Sequence, residues 1–289
     1  MSNEILNRQN EQKPIMYLAA QRQLYSEAKR LNNLFFDISV LFPFLLSIMQ
    51  FIFDENELLN VCIQLMSILV FIAGIKINSI IKKKKIEAAM IQQQFDVYVY
   101  DVPWDKKLFG KRLDMSQLIA EKSNLFLKKN CGNDKLKNWY TSVVGSVSKE
   151  KGILMCQKEN FFWDISLRKK FKNICCIFIG IVISLIIAQA LVEDDTLRVL
   201  ISKIGLISSI LEWIITVVLN LNNNIKNLNE LGDLINDSNE KSIDDLMEIQ
   251  SKIFNHRKSC YCIPDYFYKK YKNNDEYLAY RVAMLDKEK

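Results

Sequence analysis

Residues 34–53 read LFFDISVLFPFLLSIMQFIF, and after a turn of four polar residues the stretch 58–81 reads LLNVCIQLMSILVFIAGIKINSII. Two further apolar stretches follow at 174–192 and 197–221. Each of these stretches is about long enough to cross a bilayer as a helix, and they fall in two close pairs. The pattern therefore predicts a mainly α-helical membrane protein with four transmembrane helices in two hairpins.

The polar parts of the chain lie before, between and after the hairpins. Only 49% of the 289 residues are hydrophobic, because long polar segments balance the apolar spans. The first 30 residues hold no apolar core before a small-residue cleavage site, so a cleaved signal peptide is not expected. The predicted divisions are a cytosolic N-terminal helix at 1–33, hairpin one at 34–81, a cytosolic domain at 82–173, hairpin two at 174–221, and a cytosolic helical stalk and tail at 222–289.

The distribution of cations predicts the orientation of the spans. The turns inside the hairpins, 54–57 and 193–196, contain acids and neither Lys nor Arg. The opposite span ends carry Lys29 and Arg30, the run 82–85 and the basic stretch 168–172. Lys and Arg are retained on the cytoplasmic side of a membrane. Both termini and the middle segment are therefore expected in the cytoplasm.

The seven cysteines fall in the spans and in segments expected in the cytosol, where thiols stay reduced. A metal site is the sharper alternative, because His256, Cys260 and Cys262 give three donors within seven residues. A structural Zn²⁺ site usually takes four ligands with a spacing that bends the loop around the ion. Free thiols and no metal or other cofactor are the favoured interpretation.

The segment 82–172 carries twenty Lys and Arg against ten Asp and Glu, although the whole chain has a net charge of only +6. The run 82–85 is best explained by topology and anionic lipid headgroups. The remaining positive field could receive a polyanion.

Local patterns give a coarse secondary structure outside the spans. Residues 95–102 alternate, are rich in β-formers and stop at Pro103, which predicts a strand. The strand needs a partner, either residues 153–157 or another subunit. Helices are predicted at 115–129 and 135–144, in a continuous stalk from span four to 232–239, and at 242–254 behind a Ser cap. The cytosolic domain is thus predicted to be a small α+β domain, followed by a helical C-terminal tail.

Span four carries a polar row, and we call Gly205, Ser209, Glu212, Thr216 and Asn220 the span-four row. Their spacing of three or four residues places them on one face of a helix. A carboxylate near mid-membrane costs at least a few kcal/mol unless it is neutral, paired or hydrated. The row is therefore either a helix-packing seam or the lining of a conducting path.

Motifs of enzyme chemistry are missing from the sequence. It contains no Gly-rich phosphate loop and no nucleophile elbow, and its single His has no evident acid or nucleophile nearby in sequence. Catalysis is not expected.

Six short motifs occur in a fixed order relative to the four spans. They are Ile5-x-x-Arg8-Gln9-Asn10, the stretch AAQRQLYSEAK at 19–29, FDVYV at 95–99 running to Pro103-Trp104, Asn138-Trp139-Tyr140, CQKENFFWDISLR at 156–168, and IPDYFY at 263–268. With these motifs the chain resembles the SMODS-associated four-transmembrane pore-forming effectors, which are found beside cyclic-oligonucleotide synthases in bacterial CBASS antiphage systems. Lys158 stands where that family would be expected to have Arg, which keeps the charge but loses a bidentate grip on phosphate.

The resemblance implies an effector that is activated by a cyclic oligonucleotide, forms a homo-oligomer and permeabilises the bacterial inner membrane, with no DNA or RNA polymer as partner. Resemblance and side-chain chemistry together give the candidate ligand residues, since Arg grips phosphates and aromatic rings stack on bases. These are Arg22, Lys29, Trp104, Trp139, Tyr140, Lys158, Asn160, Trp163 and Arg168. For each of them, the alternative is a core position or a lipid anchor.

Two other functions remain open at this stage. One is a membrane scaffold that does not conduct. The other is a small proton-linked channel or transporter using Glu212, against which the sequence shows no clear internal repeat and no interrupted span.

Overall fold

The computed structural model describes residues 3–52, 57–130, 132–193, 196–237 and 241–287. All regular structure within these ranges is helical. The helices are α1 Ile5–Arg8, α2 Gln12–Phe36, a π-helix Asp37–Leu41, α3 Phe42–Ile52, α4 Glu57–Tyr100, α5 Lys106–Phe109, α6 Ser116–Asn130, α7 Lys149–Val192, α8 Leu197–Leu206, α9 Ser208–Asn236, α10 Ile243–Ser259 and α11 Asp265–Lys287.

Three of these helical segments are long and apolar enough to cross a membrane: Gln12–Gln50, α4 and α7. A fourth span exists if α8 and α9 are taken together. Each of α4 and α7 has 44 residues, which at the rise of an α-helix is roughly 66 Å, about twice the hydrocarbon thickness of a bilayer. Both helices therefore continue from the apolar spans into the soluble part of the protein as single rods.

Span four is interrupted. α8 ends at Leu206, α9 begins at Ser208, and their axes differ by 64°. Ile207 between them has φ −98° and ψ 5°, outside the helical well. The prediction that residues 197–221 form one uninterrupted span is therefore wrong. Gly205, Ser208 and Ser209 have weak helix propensity, which permits the break. Beyond it, α9 runs to Asn236, where the stalk was predicted to end.

The segments before, between and after the hairpins fold into one body. Leu18 of α2, Ile91 of α4, Ile153 of α7 and Ile249 of α10 are all buried in the same hydrophobic core. A bilayer cannot separate residues that pack against each other, so these segments lie on one side of the membrane. We call this helical assembly the soluble body.

The strand predicted at 95–102 is wrong, because these residues continue α4 as far as Tyr100. Residues 88–97 are buried without interruption, so the apolar alternation does not separate a core face from a solvent face. Extending an existing helix also avoids the cost of a new nucleus. Asp101 then adopts a left-handed conformation with φ 53°, and Pro103 follows in the loop.

The other elements predicted for the α+β domain differ in the same way. Residues 153–157 lie inside α7, so within the described residues there is neither the strand nor its partner. The helix predicted at 135–144 is replaced by two 3₁₀ turns, Asp134–Leu136 and Ser142–Ser146. Asn138 between them has φ 52°, and its backbone N–H donates to the Asn10 side chain at 2.9 Å. This hydrogen bond attaches the loop to the N-terminal segment.

Two other local predictions are confirmed. The helix expected at 115–129 is α6, and the helix expected behind a Ser cap is α10. Ser242 and Asp245 form a reciprocal capping box at the start of α10, with the Ser242 hydroxyl accepting from the Asp245 N–H at 3.2 Å.

The basic run 82–85 is only partly available to lipid headgroups. Lys82 and Lys83 are exposed, but Lys84 forms an ion pair with Glu27. Lys85 is 8% exposed and donates to the Ser259 carbonyl at 3.0 Å. The explanation of this run by topology alone is therefore incomplete, because half of it joins α4 to α2 and to the end of α10.

Candidate functional site

A buried polar network lies at the centre of the soluble body, around the fully buried carboxylate of Asp96 on α4. Tyr140 donates its hydroxyl to this carboxylate at 2.9 Å, and Gln250 donates its amide at 2.8 Å. Arg257 of α10 forms an ion pair with the same carboxylate. Burial would lower the pKa of Arg257, but the charge of Asp96 outweighs it and raises that pKa.

Glutamines extend the network from α4 to α7. The Gln250 amide also donates to Gln93 at 2.9 Å, and Gln157 of α7 donates to the Gln250 carbonyl oxygen at 3.1 Å. The Tyr100 and Tyr140 hydroxyls lie 2.9 Å apart, and burial raises the pKa of both well above the ordinary value. These polar side chains, which water does not reach, join α4, α7 and α10 to the loop at residues 137–141, which we call the 140 loop.

A second polar cluster lies where α7 leaves the soluble body for the membrane. Arg168 is 3% exposed and forms an ion pair with Asp164 at 3.0 Å. Its guanidinium also donates to the Asn224 side chain at 3.0 Å and to the Tyr261 carbonyl at 3.1 Å. Arg168 therefore joins α7, α9 and the segment between α10 and α11.

His256 belongs to this second cluster. Its Nε2 lies 2.5 Å from a carboxylate oxygen of Asp164. Burial would raise the pKa of Asp164, but the Arg168 guanidinium and the His256 hydrogen bond outweigh burial and hold it well below its usual range. In the part of the chain that the structure describes, no group of three or more His, Cys, Asp or Glu could hold a metal ion.

The nine candidate ligand residues do not form one surface. Tyr140 is 2% exposed and belongs to the Asp96 network. Asn160 donates to the Tyr140 hydroxyl at 3.3 Å. Arg22 lies over the Trp139 ring, 4.8 Å from its centroid. These four residues form a first group around the 140 loop.

A second group includes Lys29 and Trp163, which meet at Tyr268 near the start of α11. Trp163 stacks on Tyr268 at 6.1 Å, and Lys29 lies 5.9 Å from the centroid of the same ring. Lys29 also pairs with Asp265 at 2.6 Å. With the neighbouring Arg168, this group attaches the C-terminal tail to the body.

The last two candidates are Trp104 and Lys158. The Trp104 indole donates to the Gly110 carbonyl at 2.9 Å and packs on Phe109. Lys158 is half-buried on α7, next to Gln157 of the Asp96 network.

The span-four row lies mostly on the outside of the helices of a single chain. Glu212, Thr216 and Asn220 are exposed on α9, whereas Ile214 and Val217 pack inward. Ser209 is half-buried, and its hydroxyl donates to the Val40 carbonyl in the π-helix of span one at 3.4 Å. Gly205 belongs to α8, on the other side of the break.

Two clefts open between α2 and α6, on either side of Met16. The first, which we call the amide cleft, has a volume of about 530 Å³. Its lining is Asn10, Gln12, Ile15, Met16, Ala120, Ser123, Asn124, Leu127, Asn133 and Lys137. The second, which we call the basic cleft, has a volume of about 460 Å³. Its lining is Lys13, Met16, Tyr17, Gln94, Arg112, Leu113, Asp114, Met115, Ser116 and Ile119.

Sequence reasoning missed both the Asp96 network and the clefts. A signal for the network existed in sequence, because the run 88–97 places three consecutive Gln and Asp96 among apolar residues. No comparable signal marked the clefts, since Lys13 and Arg112 are 99 positions apart and resemble ordinary surface cations in sequence.

A helical soluble body built on long apolar helices defines the class of a multi-pass membrane protein. The chain belongs to the family described as the SMODS-associating 4TM effector domain, which it matches over residues 3–283. The family description names it an effector domain with four transmembrane segments.

A curated relative from Bacillus cereus strain VD146, named "Probable CBASS effector molecule", is 27% identical over 175 residues. The match covers 58% of this chain and 56% of the relative, so the chain spans little more than half the length of that protein. No solved structure matches the chain.

Proposed function

We propose that this protein is a cyclic-oligonucleotide-activated effector that assembles into a homo-oligomer and permeabilises the bacterial inner membrane to abort phage infection. Membership of the family and the name of the Bacillus relative support the defence role. The orientation follows from the cation asymmetry, with both termini and the soluble body in the cytoplasm. The protein is proposed to act without catalysis.

The proposal of oligomerisation and conduction rests on the exposure of the span-four row. A lone chain would present Glu212, Thr216 and Asn220 to lipid tails, where a carboxylate is strongly disfavoured. Contact with another copy or with a water-filled path removes this penalty. A bundle of four helices fills its own interior with side chains, so an aqueous path requires several subunits.

The soluble body is suited to transmit a signal to the spans. α4 and α7 each pass without a break from the Asp96 network into the membrane. A ligand that shifts the packing around this network would therefore also move the apolar halves of both helices. Such coupling requires that the ligand binds the two arrangements with different affinities.

The test is reconstitution of the purified full chain into liposomes loaded with K⁺, followed by addition of cyclic di-AMP, cyclic di-GMP or cyclic tri-AMP. Ligand-dependent K⁺ efflux supports the proposal. A protein that binds one of these ligands in calorimetry but never releases K⁺ is a scaffold without conduction, and the pore part of the proposal is then overturned.

A proton-linked channel or transporter is the second candidate, and the break at Ile207 favours it. Interrupted spans commonly mark substrate and ion sites in transporters, and Glu212 lies five residues beyond this one. Flux without any nucleotide that follows an imposed pH gradient would support this candidate over the nucleotide-gated pore.

A further inference from the structure

The amide cleft and the basic cleft adjoin at Met16, which lines both of them. Each has a volume within the usual range of small-ligand sites, about 300–1,000 Å³. Both clefts lie along the interface of α2 and α6, open to solvent, and Met16 is the wall that they share. We call the two clefts together the α2–α6 groove.

The basic cleft has the chemistry of a phosphate site. Lys13 and Arg112 both line it, with the Arg112 guanidinium 6.0 Å from the Trp104 ring centroid. Asp114 is the acid in this lining, and its carboxylate accepts from the backbone N–H and the hydroxyl of Ser116 at 3.0 Å and 2.6 Å. These hydrogen bonds stabilise the ionised carboxylate at the start of α6, so the lining of the basic cleft holds two cations and one anion. The Lys13 ammonium also lies 5.3 Å from the centroid of the Tyr98 ring.

The amide cleft has the chemistry of a base site. Its lining includes the side chains of Gln12, Asn124 and Asn133, which combine donors and acceptors as nucleobase edges do. Ile15, Met16 and Leu127 supply apolar surface against which a ring can pack. Lys137 also lines this cleft, and its ammonium is paired with Asp134 at 3.5 Å.

We propose that the α2–α6 groove is the nucleotide site, with a phosphate held by Lys13 and Arg112 and a base held among the amides on the other side of Met16. This assignment rests on the proposed function and adds a location to it. None of the nine candidate residues expected from the resemblance lines either cleft. Two of them, Tyr140 and Arg168, are 2% and 3% exposed and are already bonded within the protein.

A lipid headgroup is not the source of the phosphate. Lys13 lies near the start of α2, whereas the apolar stretch begins at residue 34, roughly 30 Å further along the helix. A headgroup at the membrane surface cannot cover that distance. The ligand that fits is a soluble dianion with bases, as a cyclic dinucleotide is.

A ligand bound in the groove would also affect the packing of span one. α2 runs through the π-helix into α3 as one segment from Gln12 to Gln50. α6 is attached to the same helix by the Lys122–Glu27 ion pair at 3.3 Å, and Glu27 also binds Lys84 of α4. A ligand wedged between α2 and α6 therefore acts on the helices that enter the first hairpin.

The experiment is isothermal titration of the detergent-solubilised full chain with cyclic di-AMP, cyclic di-GMP and cyclic tri-AMP. Arg112→Glu reverses a charge at the basic cleft, and Met16→Trp fills the junction of the two clefts. Lys128→Glu is the matched control, since Lys128 is exposed in the last turn of α6 and lines neither cleft. Melting temperatures establish that all three variants are folded.

The expected result is that both groove variants bind the parent's ligand at least about tenfold more weakly, while Lys128→Glu stays within about twofold of the parent. If the parent binds a nucleotide and both folded groove variants bind it equally well, the site is elsewhere and the inference is overturned, although the proposed function stands. If the parent binds none of the three nucleotides, the proposed function itself fails, and the inference fails with it. Cross-linking of an azido analogue of the bound nucleotide to peptides of α2 and α6 gives independent support, and cross-linking only to other peptides contradicts the assignment.

Discussion

The Arg257 guanidinium lies against the Asp96 carboxylate with both side chains withdrawn from water, at 10% and 0% exposure. The two residues are 161 positions apart, on α10 and α4, so the pair joins the C-terminal tail to the helix that continues into span two. Removing one partner of such a pair leaves an uncompensated buried charge, which costs more than the loss of an exposed pair.

Arg257→Ala should therefore lower the free energy of unfolding of the soluble body by about 3–5 kcal/mol. Lys149→Ala is the matched control, because it removes the exposed pair between Lys149 and Asp101 and should cost about 1 kcal/mol or less. Guanidinium unfolding in detergent measures both values. If the midpoints of the two variants coincide, the Asp96–Arg257 pair does not hold the body together.

The membrane class could be predicted from the sequence because the length of an apolar run alone decides it. The run at 58–81 is apolar enough to require lipid whatever other segment of the chain packs against it. The capping box of Ser242 and Asp245 was accessible for the same reason, since all of its atoms lie within four residues.

The prediction of a strand at 95–102 was wrong because an alternation of apolar and polar residues indicates a strand only if one face is solvated. Phe95, Val97 and Val99 are buried along with the polar Asp96 between them, so the alternation carried no information about faces. The burial of Asp96 depends on Arg257, Gln250 and Tyr140, which are 44 to 161 positions away. Such partners follow from the packing of helices, and one sequence alone does not fix that packing.

Acid should weaken the cluster around Asp164. The pKa of this carboxyl is lowered in the folded protein, so its contribution to stability is full above the ordinary value of about 4 and is lost as the pH falls toward the folded value. Asp164→Asn removes the charge at every pH. The melting temperature of the parent should therefore exceed that of Asp164→Asn at pH 7, and the gap should narrow below about pH 4.

Other carboxyl groups with lowered pKa values, including Glu27 and Asp101, contribute equally to both proteins in that comparison. Glu230→Gln is the matched control, because Glu230 is exposed on α9. A gap between parent and Asp164→Asn that stays constant from pH 7 to pH 3 would show that the ionised Asp164 is not what stabilises the cluster.

The proposed orientation predicts opposite labelling of two surface positions. A cysteine at Lys128 lies on the soluble body, and one at Thr196 lies in the turn between spans three and four. In a background whose seven native cysteines are replaced, a membrane-impermeant maleimide added to intact spheroplasts should label Thr196→Cys and spare Lys128→Cys. Permeabilised cells should label both, and the reverse pattern in intact spheroplasts would contradict the cation-based topology.

The exposed carboxylate of Glu212 gives the sharpest test of conduction along span four. Glu212, Thr216 and Asn220 share the outer face of α9, and Ile215 is exposed beside them as an apolar neighbour. If the row lines a path between subunits, Glu212→Gln should keep assembly but change the ratio of K⁺ to Cl⁻ permeability, because a charged side chain in a pore selects ions by sign. Glu212→Leu should abolish efflux, since an apolar constriction closes a path by expelling water. Ile215→Leu is the matched control and should conduct as the parent does.

These efflux and permeability measurements can be interpreted only if each variant inserts, assembles and binds nucleotide like the parent. With that established, two explanations of the row separate clearly. A packing seam needs shape and tolerates Leu in place of Glu, because a neutral side chain removes the cost of a charge in lipid. A conducting path must hold water, so it does not tolerate Leu at position 212. Unchanged efflux and selectivity in Glu212→Leu would therefore place the path elsewhere and identify the span-four row as a seam between helices.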